Sequence, residues 1–379
     1  MSDALTINSK SIHKAVERAV FIDDHTGLNA HAASLVSCNS IGLDTEFVRE
    51  RTFFPKPGLL QLSDGEQIWL IDPIALAGQA DFQALLAELL SSPEITKILH
   101  SVGEDFEVLQ LLCGQYPAPL FDTQIAAAML GWPLQLRYES LAAELLGIEF
   151  AGGLARNNWC QRPLPDNWLE YAAHDVIALP AMRTELEKRL AEAGRLDWLR
   201  EDCSRSVERA AQTTPAVLRI RAATRLNDAA LAKLNALADW RDAQAKKRDL
   251  PRSFVAADAV LMALVRQQPN TVSEFAKIEG VHKKFIRQNA EELLSLLHEP
   301  VADFRRSPEL MPLSLQQQAT IKRMQKIVQA QAEQLQIEAP LIASRRELTR
   351  LVQTGHADWL NGWRGERVGD DLLQALTAA

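Results

Sequence analysis

Strand-like patterning is confined to the first half of this 379-residue chain, so any sheet must be built there and the remainder must fold from helices alone. Residues 41–47 (IGLDTEF), 58–63 (GLLQLS) and 67–71 (QIWLI) are short apolar or alternating runs. Asp64-Gly65 between the last two is a hairpin signal, so three antiparallel strands are expected to open the domain. Helical spacing follows at 81–90, then a short buried strand at 96–99, then helices near 103–112, 122–130 and 138–146. Gly147 is placed to end the last of these. Asp166 after Pro165 is a candidate N-cap for a helix carrying Tyr171 and Asp175, which Pro180 should bend or break. The mixture predicts an α/β layered fold.

Beyond about residue 205 the text turns rich in Ala, Leu, Gln and Arg at helical spacing. The segment from Ala245 (AKKRDLPRSFVAADAVLMALVR) recurs weakly 87 residues later as AEQLQIEAPLIASRRELTRLVQ, with Leu250 matching Ile337, Val255 matching Ile342 and Leu261 matching Leu348. A duplicated helical module is expected, split near Pro300 to Pro308. The resulting partition is an N-terminal extension (1–19), an α/β unit (20–205) and two helical units (212–298 and 305–379).

The net charge of −8 argues against a nucleic-acid partner until it is divided. Residues 1–205 hold 16 Lys+Arg against 29 Asp+Glu, whereas residues 206–379 hold 25 against 20. One half repels phosphate and the other can hold it, and an acidic half that must approach phosphate needs divalent cations to invert its field. Cys38, Cys113, Cys160 and Cys203 form no CxxC pair, so neither a zinc site nor a disulfide framework is indicated, and they are expected reduced and mostly buried. No apolar run approaches a membrane span and the first residues lack a signal-peptide core, so a cytoplasmic protein with no membrane partner is expected.

Chemistry concentrates in a few acids. Asp44 and Glu46 are two apart in a strand, so both project from one face and can share a cation. Asp105 follows the strand at 96–99 where the chain leaves the sheet, a usual ligand position in α/β folds. Tyr171 and Asp175 lie one helical turn apart. Four carboxylates and one phenol on separate elements suit phosphodiester hydrolysis with two Mg²⁺ or Mn²⁺ ions per site, because hard cations prefer oxygen ligands. His174, some 100° around the helix from Asp175 where Tyr171 is some 40°, should face away. Asp122 is expected to cap the helix after it rather than bind metal.

In order along the chain, LDTEFVRERTFFPKPGLLQL, HSVGEDFEVL, FDTQIAAAML and YAAHDV resemble the exonuclease motifs of the DEDD superfamily, in its tyrosine-bearing subclass. WRDAQAKKRDLPRSFVAADAVL resembles the HRDC domain, ASRRELTRLV with GWRGERVG resembles a divergent second copy, and the likeness to the ribonuclease D family runs through the whole chain. That resemblance implies a ribonuclease-H-like mixed sheet flanked by helices, followed by two all-α HRDC-like domains. It implies a monomeric 3′→5′ exoribonuclease releasing 5′-mononucleotides, as in 3′ maturation of precursor tRNA. Asp44, Glu46, Asp105 and Asp175 become the metal ligands and Tyr171 the group orienting the water. Around 150–159 the family usually offers a Lys and an acid before the Trp, where this chain has Gly152, Gly153 and Asn158. Arg156 and Arg162 are candidate replacements. Phe47, with Phe53 and Phe54, could stack on bases; His100 could touch a terminal ribose; Lys246, Lys247, Arg248 and Arg252 could contact phosphate. Truncation after residue 205 is expected to leave an active nuclease that binds RNA poorly.

Overall fold

A computed structural model describes residues 9–150, 152–154, 156–299 and 304–377. Its sheet has six strands, β1 (Val20–Ile22), β2 (Ser40–Val48), β3 (Lys56–Ser63), β4 (Ile68–Ile71), β5 (Thr96–Leu99) and β6 (Leu120–Asp122), in the order β1-β4-β3-β2-β5-β6. Strands β2, β3 and β4 form the expected antiparallel meander, and at its tight turn Asp64 Oδ1 accepts the Glu66 and Gln67 amides. This meander does not open the domain. Strand β1 precedes it and lies parallel to β4, while β5 and β6 extend the other edge in parallel with β2. The two outer strands have three residues each, too few to carry a readable period.

Helices α1 (Ser9–Glu17), α2 (His25–Ser37), α3 (Ala80–Ser91), α4 (Asp105–Cys113), α5 (Thr123–Met129), α6 (Tyr138–Leu146), α7 (Asp166–Ile177), α8 (Leu179–Glu192) and α9 (Leu196–Ala211) surround the sheet. Helix α4 packs on one face of β2, and α7 and α8 pack on the other. Helix α1 packs on α7 and sends Ile12 and Ala15 into the core, so part of the supposed N-terminal extension is integral; residues 1–8 lie outside the described residues. Gly147 ends α6 with φ 67°, as read from the sequence. Asp166 does not cap α7. Pro165, with φ −64°, takes the N-cap place, and Asp166 is the first helical residue, where the helix dipole favours its charge.

The helical half comprises α10 (Asp228–Arg248), α11 (Arg252–Val255), α12 (Asp258–Gln267), α13 (Val272–Phe275), α14 (Lys283–His298), α15 (Leu315–Leu335), α16 (Ala339–Ile342), α17 (Arg345–Thr354) and α18 (Asp370–Thr377). Helices α15, α16 and α17 begin and end 87 residues after α10, α11 and α12, and the left-handed residues Asp249 and Gln268 recur as Gln336 and Gly355. The weak apolar repeat is therefore a repeat of structure. Of the expected division, Pro300 lies outside the described residues and Pro308 opens a short 3-10 turn.

The two copies are built in differently. The first has its own core, centred on Leu234, Leu261 and Phe275. The second shares one continuous core with the α/β unit, in which Ile321, Ile342 and Trp363 join Leu186 and Trp198. Trp363 stacks on Trp198 at 4.6 Å and Arg364 pairs with buried Asp202 on α9. Residue 205 falls inside α9, so a cut there would split that helix and take away the second copy's share of this core, Ile321, Met324 and Trp363 among it. All four cysteines are unpaired, but only Cys203 is buried; Cys38, Cys113 and Cys160 are half-buried. Among the described residues no helix is long and apolar enough to cross a membrane.

Candidate active site

A cleft of about 630 Å³ opens where β2, the start of α4 and the end of α7 meet, and Asp44, Glu46, Asp105, Tyr171 and Asp175 all line it. Strand β2 supplies the first two through its pleat. Its even-numbered residues face α7 and α8, and there Gly42 is required: a Cβ at that position would stand 2.9 Å from the Val176 carbonyl and 3.0 Å from Leu179 Cβ. The missing side chain lets the helix approach the strand closely enough for Asp175 to reach the strand's acids. Carboxylate oxygens of Asp44, Glu46 and Asp175 all lie within 4.8 Å of one another. Asp105 stands apart from this trio. It starts α4 on the other side of β2, where its Oδ1 accepts the Thr45 hydroxyl at 2.5 Å.

Burial and mutual repulsion dominate the electrostatics. Burial, then Asp175, pushes the Asp44 carboxyl well above the usual range; burial, then Asp44, does the same to Asp105. Burial, Asp44, Asp175 and Asp105 push Glu46 up to about 10, and Asp175 rises to about 7, mainly through burial, with Tyr171 opposing the rise. Such a group of acids holds protons unless a cation replaces them. Its donors are all oxygens, which suits a hard divalent ion, so the residues present fit the metal that the sequence implies.

Asp122 is the expected cap. Its Oδ1 accepts the Gln124 and Ile125 amides of α5, and its two oxygens also take the Ser101 and Val102 amides, tying down the loop that leads to Asp105. His174 does not line the cleft; it packs against the Phe150 ring at 5.2 Å.

The substrate candidates divide. Phe47 and exposed Arg156 line the cleft. His100 lines it too, but its ring nitrogens are engaged by Thr123 Oγ1 at 2.8 Å and the Leu136 carbonyl at 2.9 Å, which leaves the ring no free polar atom for a ribose. Arg162 spends its guanidinium within the fold: it grips buried Asp72 with two nitrogens and donates to the Gly58 and Trp159 carbonyls. Arg252 pairs with Asp242 and lies over the Phe53 ring at 4.6 Å, with Lys246 at 6.0 Å. Asp249 Oδ1 accepts the Phe53 and Phe54 amides, and Phe53 packs against the core of the first helical module, which joins the β2–β3 connection to it. Lys246, Lys247 and Arg248 are exposed.

Sequence reasoning missed several cleft residues. Arg137 is exposed on the rim and makes no ion pair or side-chain hydrogen bond among the described residues. Glu139 raises Asp175, and its Oε1 lies 2.4 Å from where a Cβ at Gly152 would stand, so a side chain there would have to push this carboxylate aside. Tyr138 lies buried beneath the cleft. Gln61, opposite Asp44 in the ladder, is buried beside it. Arg137, Tyr138 and Glu139 belong to none of the quoted motifs and reach the cleft by tertiary contact, whereas Gln61 lies within the first motif and outside the cleft lining.

Comparisons agree with this geometry. Residues 19–191 match a family model described as 3′-5′ exonuclease, and residues 230–297 match the HRDC domain. The chain is 37% identical over 355 residues to ribonuclease D of Pseudomonas paraeruginosa, covering 89% of this chain and 92% of the relative. It is 33% identical over 381 residues to ribonuclease D of Shewanella sp. strain ANA-3, covering 97% of each. The crystal structure of Escherichia coli ribonuclease D superimposes with a TM-score of 0.87 at 31% identity, over 95% of this chain and 99% of that one.

Proposed function

Because the chain belongs to the ribonuclease D family and is a hydrolase acting from RNA 3′ ends, we propose that Asp44, Glu46, Asp105 and Asp175 are its metal-binding carboxylates and Tyr171 its water-orienting group. When bound, two Mg²⁺ or Mn²⁺ ions supply an activated water and stabilise charge on the leaving 3′-oxygen. Asp44, Glu46 and Asp175, whose oxygens lie within 4.8 Å of one another, would hold one ion, and Asp105 would add a carboxylate from across the strand. Tyr171 directs its hydroxyl to the water that attacks the terminal phosphorus. The bond from phosphorus to the 3′-oxygen breaks, a 5′-mononucleotide leaves, and the RNA ends one nucleotide shorter with a new 3′-hydroxyl.

Grip on RNA comes from around this acidic floor. Arg137 and Arg156 stand at the cleft. A second cleft of about 670 Å³, between the β2–β3 connection and the first helical module, is lined by Arg219, which makes no ion pair among the described residues, and by Arg49, Arg241 and Arg252, which are paired with Glu107, Asp258 and Asp242. Lys246, Lys247 and Arg248 extend that basic surface. The physiological substrate on this reading is precursor tRNA with a 3′ extension, processed by a cytoplasmic monomer.

The approach of Asp44, Glu46 and Asp175 to within 4.8 Å carries this reading. It is tested by incubating the protein with a 3′-extended tRNA and an equal-length DNA strand, with and without EDTA. Stepwise shortening of the tRNA that stops on chelation is the expected result; cleavage undiminished by EDTA would overturn the metal assignment, and equal rates on both strands would overturn the preference for RNA.

A further inference from the structure

The helix that carries Tyr171 and Asp175 is gripped from outside at one peptide unit. Tyr138, the first residue of α6, is 8% exposed, and its ring is held by Phe150, stacked at 5.6 Å, and by the edge of His100 at 5.9 Å. Its hydroxyl donates to the His174 carbonyl at 2.7 Å and accepts the Ala178 amide at 3.4 Å. In an uninterrupted helix those two backbone groups, four residues apart, would bond to each other. The phenol oxygen stands between them, a known way to break or bend a helix, and α7 ends at Ile177 with α8 starting at Leu179. The gripped carbonyl and the Cα of Asp175 belong to the same planar peptide, so turning one moves the other.

From this geometry we propose that Tyr138 is a positioning residue: by occupying the backbone bond between His174 and Ala178, its hydroxyl sets the end of α7 so that Asp175 converges with Asp44 and Glu46. Neither the exonuclease motifs nor the cleft chemistry requires a phenol here, because Tyr138 spends its hydroxyl on backbone and not on a carboxylate. Its partner is the helix. Removing only the oxygen lets the Ala178 amide close on the His174 carbonyl, regularises the last turn and draws Asp175 away from the other two acids. Loss of an outer group that orients a metal ligand typically weakens metal affinity by about 10–100-fold.

The inference rests on the metal-binding reading of Asp44 and Asp175, and its test separates the two. Mn²⁺ binding to the full-length protein is followed by the free-ion EPR signal, without substrate, for wild type, Tyr138→Phe, Phe150→Leu and Asp44→Ala. Tyr138→Phe should raise the Mn²⁺ dissociation constant by about 10-fold or more. In turnover with RNA it should lower kcat at fixed Mn²⁺ and leave KM unchanged. Phe150→Leu removes the stacked ring but not the hydroxyl and should bind Mn²⁺ as wild type does. Wild-type affinity in Tyr138→Phe alongside lost binding in Asp44→Ala overturns this proposal alone, as does an equal loss in Phe150→Leu, which would make the effect one of packing. Unchanged binding in Asp44→Ala overturns the metal site itself.

Discussion

Replacing Arg364 with Ala should loosen the second helical module from the nuclease unit. Arg364 is 2% exposed and Asp202 is 4% exposed; both nitrogens of the guanidinium fork reach that carboxylate, while Nε donates to the Ile342 carbonyl at 2.8 Å. Truncation leaves a buried carboxylate with only Trp363 Nε1, at 3.2 Å, and Arg205, at 3.6 Å, as partners. Breaking one side of a buried pair typically costs about 3–5 kcal/mol, and Arg205 offsets part of it, so about 3 kcal/mol is expected. That corresponds to roughly a hundredfold rise in the unfolding constant and, at about 2–4 °C per kcal/mol for a unit of this size, to a melting temperature roughly 10 °C lower. Urea denaturation followed by tryptophan fluorescence is the assay, because Trp198 and Trp363 stack at this interface. Arg364→Met combined with Asp202→Leu should recover most of the loss, since apolar pairs commonly replace buried ion pairs at little cost. A single variant within about 0.5 kcal/mol of wild type, the usual scatter of surface substitutions, would refute the claim that this pair holds a shared core together.

Asp44→Ala or Asp175→Ala should abolish hydrolysis while RNA binding by filter retention stays near wild type; more than about a tenth of wild-type activity would contradict their role, since losing a metal ligand costs several kcal/mol of transition-state stabilisation. Tyr171→Phe should lower kcat by roughly 10–10³-fold with metal affinity nearly unchanged, and His174→Ala should be close to neutral; single-turnover kinetics with the reverse pattern would refute the assignment. Burial raises the Asp72 carboxyl, but the Arg162 guanidinium and the Ala75 and Ile74 amides outweigh it and hold it below the usual value. A depressed folded-state value means the contribution is complete above the ordinary carboxylate pKa of about 3.9 and is lost as pH falls through the depressed one. The urea midpoint of Asp72→Asn should therefore lie below that of wild type at pH 7, and the two should converge toward pH 2; a gap that widens in acid would refute this.

The sequence by itself determined the elements that have a period to read. The β2–β4 meander, α3, α6, the helix bearing Tyr171 and Asp175, and the helical repeat follow from side-chain spacing, which is local. The acids were legible for the same reason: residues two apart on a strand share a face, and residues four apart on a helix share a side. Tertiary structure alone decided what no spacing encodes. Strands of three residues at the sheet edges are specified by their neighbours, and whether an arginine is free depends on distant carboxylates, as Arg162 on Asp72 and Arg252 on Asp242 show. The same holds for Gly42 beneath α7, for Tyr138 against the end of that helix, and for the helical copy that keeps its own core while the other joins the nuclease. Burial and partnership depend on residues far apart in the chain, and only packing brings those residues together.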